Sequence, residues 1–110
     1  MRRNPKPGVY ILVIALPCEA QISVGSLGLL RFEKGFYCYV GSALGGLHAR
    51  LARHLCQNKR LHWHIDYLLQ YGQVKEIWYR VTRDRCECRW ARALAQVSGI
   101  SPYTARFGAS

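Results

Sequence analysis

Acidic residues are scarce in this chain. Six aspartates and glutamates stand against sixteen lysines and arginines, a net charge of +10 over 110 residues. A surface charged only for solubility mixes the two signs more evenly. The excess therefore points to a polyanionic partner, nucleic acid first and anionic membrane second. Long hydrophobic runs are also missing. The stretch Ile11 to Leu16 is closed by Pro17 and is far too short to span a bilayer, so no membrane partner is expected. The five cysteines, Cys18, Cys38, Cys56, Cys86 and Cys88, contain no CxxC pair and are odd in number, which argues against a disulfide framework. The expectation is a cytoplasmic protein with reduced thiols, most of them small core residues. Half of the residues are hydrophobic, which excludes a disordered chain and suits one domain over residues 1–110.

What is present reads as alternating strands and helices. Residues 1–7 carry Arg2, Arg3, Lys6 and two prolines and read as a flexible basic arm. Gly8 to Leu16 is β-branched and aliphatic, a buried strand. Gln21 to Val24 suggests a short strand before a Gly-Ser-Leu-Gly turn. Leu30 to Glu33 and Phe36 to Val40 flank Lys34-Gly35, a hairpin signal. Leu44, Leu47, Leu51 and Leu55 form the apolar stripe of a helix over Leu47 to Leu55, with Arg50 and His54 four apart on a neighbouring face. A second helix runs from near His62 to Tyr71, with Ile65, Leu68 and Leu69 inward and Gly72 as its stop. Val74 to Val81 reads as a strand. Asp84 reads as the N-cap of a last helix with the stripe Trp90, Ala91, Leu94 and Val97, closed by Gly99 and Pro102. The fold class is α+β: a small mixed or antiparallel sheet of three to four strands packed with three helices.

Chemistry concentrates in Gly8-Val9-Tyr10, in Tyr39-Val40-Gly41-Ser42-Ala43, in Arg50 with His54, and in Glu87, the one carboxylate on what reads as an inward helix face. With these motifs the chain resembles the GIY-YIG nuclease superfamily, most closely its small stand-alone branch of unknown function. Gly8-Val9-Tyr10 stands for the first motif and Tyr39-Val40-Gly41 for the second. Arg50-Leu-Ala-Arg-His54 resembles the arginine-histidine helix, and Glu87 matches the metal-binding glutamate. Tyr10 and Tyr39 are wider apart than is usual in the superfamily, which an extra strand at Gln21 to Val24 accommodates. The late asparagine of the homing enzymes is absent, since none follows Asn58.

The resemblance implies a divalent-metal-dependent endonuclease acting on DNA or RNA. Tyr10, Tyr39, Arg50, His54 and Glu87 would be catalytic. Glu87 would hold one Mg²⁺ or Mn²⁺, an ion commonly bound by one or two carboxylates and several waters. Arg53, Lys59, Arg60 and His62 would contact the nucleic acid. The alternative is a non-catalytic nucleic-acid-binding module on the same scaffold. Each residue also has an ordinary reading. Asp84-x-x-Glu87 is the pattern of a capping box. Arg50 and Arg53 are surface arginines of a basic helix, His54 suits a helix C-terminus, and strand tyrosines commonly pack with their hydroxyls at the rim. Which tyrosine would act as a base stays open, with Tyr37 a third choice. His62-x-His64-x-Asp66, with Cys86 and Cys88 or the upstream His48 and His54, offers a zinc reading, but the spacing is not that of a standard zinc site.

Overall fold

The computed structural model describes residues 6–56, 60–61, 63–84 and 87–96. Gly8–Leu16 forms β1, the middle of a three-stranded antiparallel sheet. Its edges are β4, Gly35–Ala43, and β5, Gln73–Val81. A central position explains why β1 is apolar at nearly every residue. Tyr10, Leu12, Ile14 and Leu16 are buried on one face, and Val9 is buried on the other. The register sets Tyr10 between Gly41 and Tyr79, and Leu12 between Tyr39 and Ile77. Because side chains alternate along a strand, Tyr10, Tyr37, Tyr39 and Gly41 share one face.

Two further strands, β2 (Ala20–Ser23) and β3 (Leu29–Phe32), pair with each other as a separate antiparallel hairpin. The fold is therefore α+β, with five strands in two sheets among the described residues, and the expected extra strand is a whole hairpin. The turn expected at Lys34-Gly35 is corrected. β3 turns back onto β2, and β4 crosses to β1. The tight reversal falls at Gly25 and Gly28 instead, which hold φ of 45° and 78°, angles that glycine adopts without the clash of a Cβ. Ile22, Val24 and Phe32 then bury themselves against Ile65 and Leu68 in the common core.

Three helices lie among the described residues: α1 (Leu47–Leu55), α2 (His64–Leu69) and α3 (Glu87–Ala95). The expected stripe of α1 needs correcting. Leu47 is buried and Leu51 half-buried, but Leu44 and Leu55 are 48% and 52% exposed. The inward line runs Leu47, Leu51, His54, so a histidine occupies the place expected for a leucine. The thiols of Cys18, Cys38 and Cys56 are exposed rather than in the core. Lys6 and Pro7 are not loose. Their carbonyls accept the backbone N–H of Leu47 and of Thr82 at 2.8 and 2.9 Å, which ties the start of β1 to α1 and to the end of β5. Gly8 must be bare at this junction, since a Cβ would collide with the Arg80 carbonyl and the Leu47 side chain. The N-cap expected at Asp84 depends on residues 85–86, and the helix end expected at Gly99 and Pro102 likewise falls outside the described residues.

Candidate active site

The site is built outward from Tyr10, whose ring is 1% exposed. A buried phenol must find a partner for its hydroxyl. Tyr10 Oη lies 2.7 Å from His54 Nε2, which is why α1 turns a histidine inward. The opposing strand makes room by omission. A Cβ on Gly41 would fall on the Tyr10 hydroxyl and ring, so the glycine of Tyr-Val-Gly is a steric requirement of the tyrosine of Gly-Val-Tyr. Tyr39 closes the group, its ring 6.4 Å from that of Tyr10 and 6.1 Å from the imidazole. Tyr37 is turned elsewhere, its hydroxyl donating to the Glu33 carbonyl at 2.7 Å.

Arg50 lies one helical turn before His54 and donates from Nη1 to the Ser42 carbonyl at 2.9 Å. Glu87 begins the described part of α3, which packs on β4. Its Oε2 accepts from the Ser42 hydroxyl at 3.0 Å. Ser42 thus joins the arginine through its carbonyl and the glutamate through its side chain. By strand alternation the Ser42 side chain leaves β4 on the face opposite the tyrosines, and Glu87 meets it there. Glu87 is nonetheless close enough for its charge to act on both tyrosines. Among the described residues, Ser42 alone hydrogen-bonds this carboxylate, through Oε2. A tertiary partner 45 residues away in sequence is more than a capping box requires.

The expectation of a single inward helix carboxylate is corrected by Asp66, which is fully buried. A buried carboxylate needs a partner, and Arg53 supplies it through Nη1 and Nη2 at 2.8 and 2.9 Å. Arg53 Nη2 also reaches the Arg60 carbonyl at 2.9 Å. The planar fork expected to meet nucleic acid is therefore engaged within the fold. The Arg60 side chain is exposed on the surface. Lys59 and His62 lie outside the described residues, as does Cys86, and nothing is described of the Cys88 side chain. Among the described residues no three His, Cys, Asp or Glu side chains gather to hold a metal. A hollow of about 300 Å³ opens beside His54, Leu55, Leu69, Gly72, Gln73 and Val74, away from Arg50 and Glu87.

Burial raises the pKa of Tyr10, and the Arg50 guanidinium beside it pulls the other way. Burial also pushes Tyr39 up, helped by the phenol of Tyr10 and the charge of Glu87. Both hydroxyls therefore keep their protons at neutral pH. In the unfolded chain both would ionise near ~10. The stability that these protonated phenols contribute is complete below that pH and is lost as pH rises toward their folded values, for Tyr39 at up to about 1.4 kcal/mol per pH unit. Tyr39→Phe should flatten the alkaline fall in stability by one such slope in urea unfolding between about pH 10 and 11. An unchanged slope would contradict the burial.

The fold and site define a small α+β domain in which two strand tyrosines and a histidine pack together and Ser42 links an arginine and a carboxylate beside them. The chain matches the family described as "Domain of unknown function DUF123" over residues 9–110. It belongs to that family. No curated protein and no solved structure matches it. No helix among the described residues is long and apolar enough to cross a membrane.

Sequence reasoning missed the links made by Ser42, and it read Asp66 only as part of a zinc string. Ser42 lay in plain view, next to Gly41, but its contacts run through a backbone carbonyl and a distant helix. Asp66 had one signal, its position three residues after Trp63 at a helix start. That spacing lets a carboxylate take the cap residue's N–H, and the Trp63 N–H does donate to Asp66 Oδ2 at 2.8 Å.

Proposed function

We propose that this chain is a GIY-YIG-type endonuclease that hydrolyses phosphodiester bonds of DNA or RNA with one divalent metal ion. The observation that carries the reading is the packing of Tyr10, Tyr39 and His54 together, with Arg50 and Glu87 joined through Ser42 beside them. The net charge of +10 supports a polyanionic substrate.

In this reading Arg50 takes the scissile phosphate, since its fork suits two phosphate oxygens. Glu87 would hold Mg²⁺ or Mn²⁺, and the ion would supply charge neutralisation and an acidified water. Tyr10 and His54, both buried, form a hydrogen-bonded pair that holds Tyr39 in place. The attacking water gives its proton to bulk solvent, its oxygen forms the new bond to phosphorus, and the opposite P–O bond breaks. Tyr39, held neutral, gives its proton to the oxygen that leaves and takes one back from solvent.

Arg50→Ala should weaken both cleavage and binding, the binding by about tenfold. Loss of one phosphate contact should also reduce the slope of log affinity against log salt by about 0.9 for duplex. Affinity measured at several salt concentrations tests this. An unchanged slope and affinity would take Arg50 out of the substrate contact. The non-catalytic module predicts the same binding loss with no cleavage by the parent protein, and the single carboxylate favours it as the second reading.

A further inference from the structure

We propose that Trp63, locked in place by Asp66 and Arg53, is the positioning residue that holds the Arg50 guanidinium in the plane in which it meets a phosphate. The inference rests on the phosphate-binding reading of Arg50 and names what makes that reading work. An arginine at the edge of a site has several free torsions, and fixing them opposes binding. In this site two contacts fix them before any ligand arrives. Nη1 is anchored on the Ser42 carbonyl at 2.9 Å, and the guanidinium carbon lies 4.3 Å from the centroid of the Trp63 ring. A guanidinium stacked on an aromatic face keeps its N–H edge free and its plane defined.

The indole is itself held on several sides. Its backbone N–H donates to Asp66 Oδ2 at 2.8 Å, and its carbonyl accepts the Asp66 N–H at 3.0 Å. The Asp66 carboxylate is gripped by both terminal nitrogens of Arg53. The Arg53 guanidinium carbon in turn lies 4.3 Å from the same ring centroid. The imidazole of His54 stands 6.0 Å from the ring, so the indole also borders the Tyr10–His54 pair. Arg50 and Arg53 are three apart on α1 and therefore neighbours on its surface. They divide the work: Arg53 and Asp66 secure the ring, and the ring with Ser42 secures Arg50. Asp66 also caps α2, so what singles out the indole is the pair of guanidinium groups set over its ring.

The test uses the full chain. Trp78→Phe with Trp90→Phe leaves Trp63 as the only tryptophan of the three. Adding Arg50→Ala should shift Trp63 emission, and unchanged emission overturns the contact. Affinity for a short single-stranded oligonucleotide is then measured without metal over a range of salt. Trp63→Ala should bind about tenfold more weakly. Its salt slope should fall as that of Arg50→Ala does, by about 0.7 for a single strand. The double variant should be no weaker than Arg50→Ala alone, and Trp63→Phe should restore most of the affinity. Trp63→Leu carries the same comparison if the alanine variant does not fold. A lower melting temperature with the parent salt slope, or losses that add in the double variant, would overturn the proposal. If the parent binds no oligonucleotide, the nucleic-acid reading fails, and the emission change alone decides whether Trp63 holds Arg50.

Discussion

Glu87→Gln is expected to abolish cleavage, by about a thousandfold or more, while leaving nucleic-acid binding intact or slightly tighter. Glutamine keeps an oxygen that can accept from the Ser42 hydroxyl, a bond of 3.0 Å in the parent, so the link between α3 and β4 survives. What disappears is the negative charge that would hold a divalent ion. Removing that charge beside a polyanion does not weaken binding and can strengthen it. Stability should stay within about 0.5 kcal/mol of the parent, as for a substitution that keeps its hydrogen bond. If Glu87 serves only as a cap, the variant is nearly silent in every readout, because glutamine also serves in a capping box. Cleavage rate, affinity and melting temperature together separate the two. Parent-like cleavage by Glu87→Gln would remove the metal role.

Gly41→Ala is expected to do disproportionate harm for one methyl group. The added Cβ falls on the Tyr10 hydroxyl and ring. Tyr10 is 1% exposed and bonded to His54, so it cannot step aside without breaking that bond. Overpacking of this kind costs about 1–3 kcal/mol, and the displaced phenol should take catalysis with it. The collision is specific, which makes it testable by a double-mutant cycle in urea unfolding. In a Tyr10→Leu background, Gly41→Ala should cost less than about 1 kcal/mol, because the ring it strikes has gone. An equal cost in both backgrounds would place the damage in the strand rather than in the tyrosine contact.

These two positions also show how much was legible from sequence. Tyr10, Tyr39, Arg50, His54 and Glu87 could be singled out as candidates because each sits in a short motif whose residue types carry chemistry. β1 and α1 were readable to the residue, because Gly8 and Gly46 mark their starts and their periodicity is strong. The partner of β4 was not readable. Lys34-Gly35 looks like a hairpin turn, but the choice between β3 and β1 depends on a long-range register that pairs Tyr10 with Gly41 and Leu12 with Tyr39. The burial of Asp66 was hidden for a similar reason, since its partner Arg53 lies on another helix and reads as one more surface cation. His54 was readable as a functional candidate but not as the inward residue of α1, because a hydrophobic stripe counts leucines and takes no account of a phenol awaiting a partner. The exposed thiols of Cys18, Cys38 and Cys56 run against the general preference of cysteine for the interior.

The most direct test is a cleavage screen over branched, duplex and single-stranded DNA and RNA, with Mg²⁺ or Mn²⁺ and with chelator, comparing the parent with Glu87→Gln. The expected result is product from at least one substrate with the parent, dependent on the ion and absent from the variant. Binding of these substrates without cleavage of any of them under either metal would contradict the nuclease assignment and leave the chain as a nucleic-acid-binding module.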